Sequence, residues 1–199
     1  EHYYGPQGAL ARDQQKAWLT LPAGNINLAR LHAVARGRKP TQLSLSVQPD
    51  DRTPSLVQIW MPSDPSQAHP GLVSVQVTTP AGQSGSITSK PGKSTSLVDD
   101  EGVEIARLAC QYQGGATQRA LMTLSLSPTA HLAGQPPLAP AGNWSLEIST
   151  ANIAHDQQVH VWIRRDETLP GTRSGGRQAW FSNSVIFTKL QNNTTFGFF

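Results

Sequence analysis

The sequence predicts a mainly β protein, organised as a β-sandwich or jelly roll. Apolar and polar residues alternate in several short runs, and a two-residue period places alternate side chains on opposite faces of a strand. The 17 glycines and 15 prolines fall largely between these runs, where both residue types favour turns. Composition compatible with a helix is confined to residues 9–18, whose apolar stripe is weak. Several short strands at this spacing are typical of sandwiches and jelly rolls.

Five runs show the alternation most plainly. They are residues 43–47, 72–77, 121–126, 144–148 and 159–163. Turn residues follow or separate them, for example Pro49-Asp50-Asp51 and Pro80-Ala81-Gly82. We expect each run to form one half-buried strand, and the glycine and proline clusters to form the connections.

Composition and charge exclude several classes of protein. The chain is 37% hydrophobic and 15% charged, which is too apolar for a disordered chain, and its apolar residues are too dispersed for a membrane protein. Its formal charge of +3 comes from scattered residues, without the dense basic stripe of a nucleic-acid-binding protein. No apolar run approaches the roughly 18 residues of a membrane span. We therefore expect no nucleic-acid partner and no membrane partner.

The residues that often bind metals are better explained as ordinary structure. The six histidines do not follow the ligand spacings of zinc sites. Asp50-Asp51 and Asp99-Asp100-Glu101 are more typical of solvated turns than of calcium loops. Cys110 is the only cysteine and lies in an apolar run, so it is expected to be a small buried hydrophobic residue. The sequence predicts no metal and no cofactor.

The tryptophans allow two interpretations. Trp60, Trp144 and Trp162 lie in strand-like runs, where packing in the core is the usual place for so large an apolar group. Trp180 is left open between the core and the surface. The alternative is a platform of exposed rings that binds carbohydrate.

One short motif points to catalysis. Ala23-Gly24-Asn25 follows the apolar run at residues 17–21. Glycine permits a sharp turn, and an asparagine amide can donate a hydrogen bond to a developing oxyanion. Taken alone, the motif is more often an ordinary turn, because asparagine is a common turn residue.

A set of ordered blocks carries a resemblance to a known family. The blocks are residues 22–25, 29–33, 49–54, 57–62, 142–148, 161–168 and 176–181. Together they resemble the part of large bacterial subtilisin-like serine peptidases (subtilases) in which the oxyanion-hole asparagine is followed by an inserted β domain. The resemblance extends from Leu19 to Phe181.

The resemblance implies a division of the chain and a role for one residue. Residues 1–25 would be a piece of the α/β catalytic core, residues 26–165 the β-sandwich insert, and residues 166–199 a loop and a partial return to the core. Asn25 would be the oxyanion-hole donor, and the partner would be a protein or peptide substrate. The family is compatible with a secreted or cell-envelope location.

The catalytic triad motifs of subtilases are missing from these residues. The family resemblance places the aspartate and histidine before Glu1 and the serine after Phe199, so the chain alone is expected to be inactive. The chain would then be an internal fragment of a serine endopeptidase. The alternative is a non-catalytic β-sandwich binding module for carbohydrate or protein ligands, in which Ala23-Gly24-Asn25 is a coincidence.

Overall fold

The computed structural model describes residues 29–62, 73–112, 119–130, 138–150, 153–154, 157–164 and 176–183. These residues form eleven strands in two antiparallel sheets and contain no α-helix, which confirms the mainly β prediction. None of their elements is a helix long and apolar enough to cross a bilayer. The candidate helix at residues 9–18 lies outside the described residues.

The first sheet has six strands and the second has five. In spatial order, the first contains β1 (His32–Ala35), β10 (Val159–Ile163), β3 (Ser55–Trp60), β8 (Ala120–Leu126), β7 (Glu104–Tyr112) and β6 (Ser94–Val98). The second contains β11 (Trp180–Phe181), β2 (Thr41–Val47), β9 (Gly142–Ser149), β4 (Ser74–Thr78) and β5 (Ser84–Thr88). Each of the five predicted runs is found as a strand, shifted by at most two residues at either end.

The connections follow the jelly-roll pattern. Without β6, β7 and β11, the strands form two four-stranded sheets, β1-β10-β3-β8 and β2-β9-β4-β5. The pairs β1–β10, β2–β9, β3–β8 and β4–β5 are nested along the chain, as in a long hairpin rolled up so that successive strands alternate between sheets. The hairpin β6–β7 widens the first sheet, and β11 widens the second.

The inward positions of both sheets form one core. In β2, for example, Leu43, Leu45 and Val47 are buried while the residues between them are not. Trp144 of β9 is fully buried, and its indole N–H donates to the Pro140 carbonyl over 2.9 Å. Burial of a large apolar side chain contributes roughly 1.5–3 kcal/mol, so this shared core is the main source of stability.

The sandwich extends beyond the predicted insert at residues 26–165. Strand β11 pairs with β2, and Phe181 is fully buried in the core. The Phe181 N–H donates to the Arg30 carbonyl over 2.9 Å. Residues 176–183, predicted as part of a loop and return to another domain, therefore contribute a strand to the second sheet.

The crossing from β2 to β3 is held by a buried carboxylate. Asp51 is 1% exposed, and its Oδ1 accepts hydrogen bonds from the Thr53 N–H, the Thr53 hydroxyl and the Arg177 N–H. Its backbone carbonyl accepts from the N–H groups of Thr129 and Ala130. Because these partners come from three separate parts of the chain, Asp51 ties the β2–β3 crossing to the end of β8 and to the approach to β11.

The other acidic run and the cysteine also have structural positions. The Asp99 carboxylate accepts from the N–H groups of Glu101 and Val103 within the β6–β7 turn. Cys110 is buried in β7, as predicted, and burial raises the pKa of its thiol to about 11. A thiol with so high a pKa is protonated at neutral pH and is a poor nucleophile.

Candidate functional site

The outer face of the first sheet is rich in aromatic and imidazole rings. Strand register brings its side chains into two adjacent rows that cross the sheet. The first row is Val34, His160, Trp60, Leu121 and Gln111. The second row is His32, Trp162, Gln58, Thr123 and Ala109. Four of these ten residues carry large rings, on a surface that does not belong to the core.

The outer face of the second sheet has a different chemistry. One row is Gln42, Glu147, Gln76 and Ser86, and the next is Ser44, Ser145, Thr78 and Ser84. The Gln42 amide donates to the Glu147 carboxylate, and the Ser145 hydroxyl donates to Gln42 Oε1 over 3.3 Å. Polar side chains such as these are well solvated, so this face is stable in contact with water.

Two histidines meet on the aromatic face. His32 Nε2 and His160 Nδ1 are 3.1 Å apart. The two ring planes differ by 2° and the ring centroids are 5.3 Å apart. If two rings lie in one plane and touch through their nitrogens, their centroids are separated by the N···N distance plus the radius of each ring. The observed separation is close to that sum, so the two imidazoles lie edge to edge in nearly the same plane. One ring N–H therefore donates to the lone pair of the other ring.

A tryptophan holds this pair in place from one side. The Trp162 ring stacks on His32 with a centroid distance of 3.7 Å and an interplanar angle of 14°. His32 and Trp162 are directly opposite each other in register, where cross-strand side chains come closest. Trp162 is nevertheless 45% exposed, so one part of the indole remains accessible to a ligand.

Both imidazoles favour the neutral form. Burial, and secondarily the neighbouring His160, lowers the pKa of His32 from 6.5 to about 4. Burial and the charge of Arg119 lower the pKa of His160. A neutral pair fits the observed hydrogen bond, because each contact between two neutral imidazoles needs one N–H and one free lone pair.

Arg119 brings a positive charge to the edge of the same face. It is the residue immediately before β8, and its charge acts on His160 of this face. Its Nε is buried, and within the described part of the chain this atom has no hydrogen-bond partner. We call His32, Trp60, Arg119, His160 and Trp162 the aromatic patch.

The patch offers mainly hydrogen-bond donors. The guanidinium, the imidazole N–H and the two indole N–H groups all donate. Beside them, Gln58 and Thr123 supply side-chain oxygen acceptors. Among the described residues, no group of three or more histidine, cysteine or acidic side chains could hold a metal ion, and the charge of Arg119 would repel a cation.

The structure corrects the prediction for two tryptophans. Trp60 and Trp162 were expected in the core but lie on the outer face, because Ile59 and Val161 occupy the inward positions beside them. Strict alternation leaves no inward position for the neighbouring rings. Trp144 is in the core as predicted. Trp180 is half-buried beside the core residue Phe181, on the outer side of β11.

Asn25 lies outside the described residues, so its predicted role as oxyanion-hole donor stays a prediction. The pairing of His32 with His160 has no signal in the sequence, since 128 residues separate them. Only the pairing of β1 with β10, near opposite ends of the sandwich sequence, brings the two rings together.

Comparison with known proteins gives a structural relationship but no sequence relationship. No family model and no curated protein sequence matches the chain. The solved structure of the Clostridium perfringens CspB protease is similar, with a TM-score of 0.54 at 16% identity. The similarity covers 82% of this chain but only 30% of that protease chain. It shows a shared fold with part of a larger protein.

Proposed function

We propose that this chain is part of a subtilisin-like serine endopeptidase, in which residues 29–183 contribute a jelly-roll domain and Asn25 an oxyanion-hole donor. The observation that carries the proposal is the fold shared with the CspB protease across 82% of the chain. The ordered sequence blocks that resemble subtilases, from Leu19 to Phe181, are independent support.

The proposed role of Asn25 is electrostatic. When a serine attacks the scissile carbonyl, negative charge develops on the carbonyl oxygen. An asparagine amide that is already oriented towards this oxygen stabilises the transition state more than the ground state. The aspartate, histidine and serine of the triad would come from the intact protein, beyond the 199 residues of this chain.

The jelly roll would lie near the substrate cleft. His32, the first residue of β1, follows Asn25 by seven residues (32 − 25). Seven residues span at most about 25 Å when fully extended. The edge of the first sheet at β1 would therefore lie within about 25 Å of the catalytic centre, close enough to contact a protein substrate beyond the cleaved bond.

The test is a pair of asparagine variants in the protein expressed from its complete reading frame. Removal of one oxyanion donor from subtilisin lowers kcat by about 10²–10³-fold, and we expect a decrease in the same range for Asn25→Ala with little change in KM. Asn27→Ala is the matched control, and we expect it to keep full activity on a peptide substrate. A fluorophosphonate probe should label the wild-type serine.

Two results would overturn the proposal. Failure of the full-length protein to hydrolyse peptides or react with the fluorophosphonate would remove the peptidase assignment. Equal kcat for Asn25→Ala and Asn27→Ala would leave the peptidase but remove the role of Asn25.

A second candidate function is a non-catalytic binding module for carbohydrate or protein ligands. The observation in its favour is the aromatic patch, with Trp162 45% exposed beside the histidine pair. Binding by the purified chain to a glycan array or to peptides would support this function. Binding and peptidase activity are compatible, because the patch and Asn25 involve different residues.

A further inference from the structure

The strongest unexplained feature of the patch is the Arg119 guanidinium. Its Nε is buried without a hydrogen-bond partner in the described parts of the chain. A buried donor that lacks a partner is costly, and a charged one more so. Arg119 as a whole is partly exposed, so a ligand can reach this residue, and an acceptor bound beside it would stabilise its charge.

The surroundings of Arg119 define the chemistry of that acceptor. The charge of Arg119 acts on the neighbouring His160, which shares its hydrogen bond with His32. The three groups come from β1, β10 and the residue immediately before β8, and the facing residues of β3 are Trp60 and Gln58, which do not titrate. An ionised carboxylate accepts hydrogen bonds and donates none. Its planar shape also matches that of a guanidinium.

The rings beside the charge favour a peptide as the source of the carboxylate. Trp60 is next to His160 in register, and Trp162 faces His32. These flat surfaces can pack against aliphatic or aromatic side chains next to an acidic residue. A sugar would present several hydroxyl donors. The patch has few acceptors for them beyond the side-chain oxygens of Gln58 and Thr123, so a sugar fits it less well.

We propose that the aromatic patch binds an acidic peptide segment, with a glutamate or aspartate carboxylate held by Arg119 and the histidine pair and a neighbouring side chain packed on Trp162. The proposal does not depend on peptidase activity, because it concerns residues of the sandwich alone.

Binding should be linked to protonation. A carboxylate beside neutral imidazoles stabilises their charged form, so the complex takes up a proton at the histidine pair. Affinity should therefore rise as the pH is lowered from 8 to 5.5, a range in which glutamate, with an ordinary pKa of about 4.3, stays ionised. Hydrophobic contact with the tryptophans alone would give no such dependence.

The test measures binding of the full 199-residue chain to a fluorescein-labelled peptide, Gly-Ser-Glu-Leu-Glu-Ser-Gly, by fluorescence anisotropy. The matched peptide has glutamine at both glutamate positions. We expect the glutamine peptide to bind at least about tenfold more weakly, as fits loss of a charge-assisted hydrogen bond. We expect a similar loss for Arg119→Gln with the glutamate peptide, and a smaller loss for Arg119→Lys, which keeps the charge but not the planar fork.

The control variant is Arg107→Gln. Arg107 is an exposed arginine of β7 in the same sheet, paired with Glu104 over 2.7 Å, and its replacement should leave peptide binding unchanged. Thermal unfolding of every variant checks that the fold is intact. If Arg119→Gln does not fold, His160→Gln provides the same comparison through the adjacent group, with an expected loss of both affinity and pH dependence.

Several results would overturn the proposal. They are equal affinity for the glutamate and glutamine peptides, undetectable binding of both, or equal losses in Arg119→Gln and Arg107→Gln. Tighter binding of an oligoglucuronate than of the glutamate peptide would also overturn it, because the carboxylate would then come from a sugar.

Discussion

The two outer faces of this jelly roll have the same strand geometry but opposite chemistry. The second sheet presents rows of serine, threonine, glutamine and glutamate. The first presents two tryptophans, two histidines and a buried leucine, Leu121. Both sheets contribute their other faces to one core. Since the fold requires only the inward faces, the difference between the outer faces indicates a role that only one of them has.

The polar face shows what folding alone requires. Its side chains bond to each other, as Gln42 and Ser145 do, or to water, and none needs a partner. On the aromatic face, the Nε of Arg119 is buried without a hydrogen-bond partner in the described residues, and Trp162 is exposed beside the histidine pair. Soluble proteins expose single apolar residues routinely, but several aromatic side chains with a few polar groups among them are typical of ligand sites.

The largest expected change in stability distinguishes the core tryptophan, Trp144, from the outer-face tryptophan, Trp162. Trp144→Ala should lower the free energy of unfolding by about 3–5 kcal/mol, because it leaves a cavity in the shared core and removes the hydrogen bond to Pro140. Trp162→Ala, at an exposed position, should lower it by about 1 kcal/mol or less. Urea denaturation measures both values, and equal losses would contradict the assignment of Trp162 to the outer face.

The next effect concerns the crossing that joins the two sheets. Asp51→Ala should cost about 2–3 kcal/mol, because the buried N–H groups of Thr53 and Arg177 lose their acceptor. Asp51→Asn keeps one side-chain oxygen and should cost less. The control is Asp50→Asn at the adjacent exposed residue, whose positive φ of 57° asparagine tolerates; its stability should change by less than about 0.5 kcal/mol. An unchanged free energy of unfolding in Asp51→Ala would contradict the proposed role of Asp51 in connecting these segments.

A smaller effect should appear when the pH is lowered, through the two histidines of the aromatic patch. The folded-state pKa of His32, about 4, is below its ordinary value of 6.5, so the unfolded chain binds protons first as the pH falls. The stability contributed by the neutral pair is therefore complete above pH 6.5 and is lost progressively towards pH 4. Because His32 is partly exposed, solvent screening limits the loss to about 1 kcal/mol.

Chemical denaturation between pH 7.5 and 4.5 measures this dependence. In the double variant His32→Gln, His160→Gln the stability curve should be flatter over that interval. An identical curve for wild type and double variant would show that the pair does not change its protonation on folding.

The smallest effect should come from the polar face. Glu147→Gln removes a charge from the middle of that face but keeps a partner for Gln42, so stability should change by less than about 0.5 kcal/mol. A loss above 1 kcal/mol, measured by thermal unfolding, would mean that the polar rows are more than a solvated surface.

Much of the fold could be predicted from the sequence. Residues 43–47 and 159–163 alternate clearly because one face of each strand is buried, and both runs became strands β2 and β10. Strands β5 and β6 were harder to predict, because their residues are mostly serine, threonine and glycine with a single buried position each.

The candidate site could not be predicted in the same way. The alternation in β10 gave the faces of His160 and Trp162, but large rings are usually buried, and this general tendency assigned Trp162 to the core. The neighbours of these rings depend on strand order, since His32 of β1 reaches them only through the β1–β10 pairing. The orphaned Nε of Arg119 likewise depends on packing that has no local sequence pattern.

The central claim is that the aromatic face binds a ligand and the polar face does not, and the tryptophans report on it directly. Of the four tryptophans in the described residues, two lie on the aromatic patch, Trp144 lies in the core, and Trp180 lies in the second sheet. In nuclear magnetic resonance spectra of the ¹⁵N-labelled chain, titration with the glutamate peptide should shift the indole N–H signals of Trp60 and Trp162 and leave those of Trp144 and Trp180 in place. A shift confined to Trp180, or no shift of any indole signal at saturating peptide, would contradict the claim.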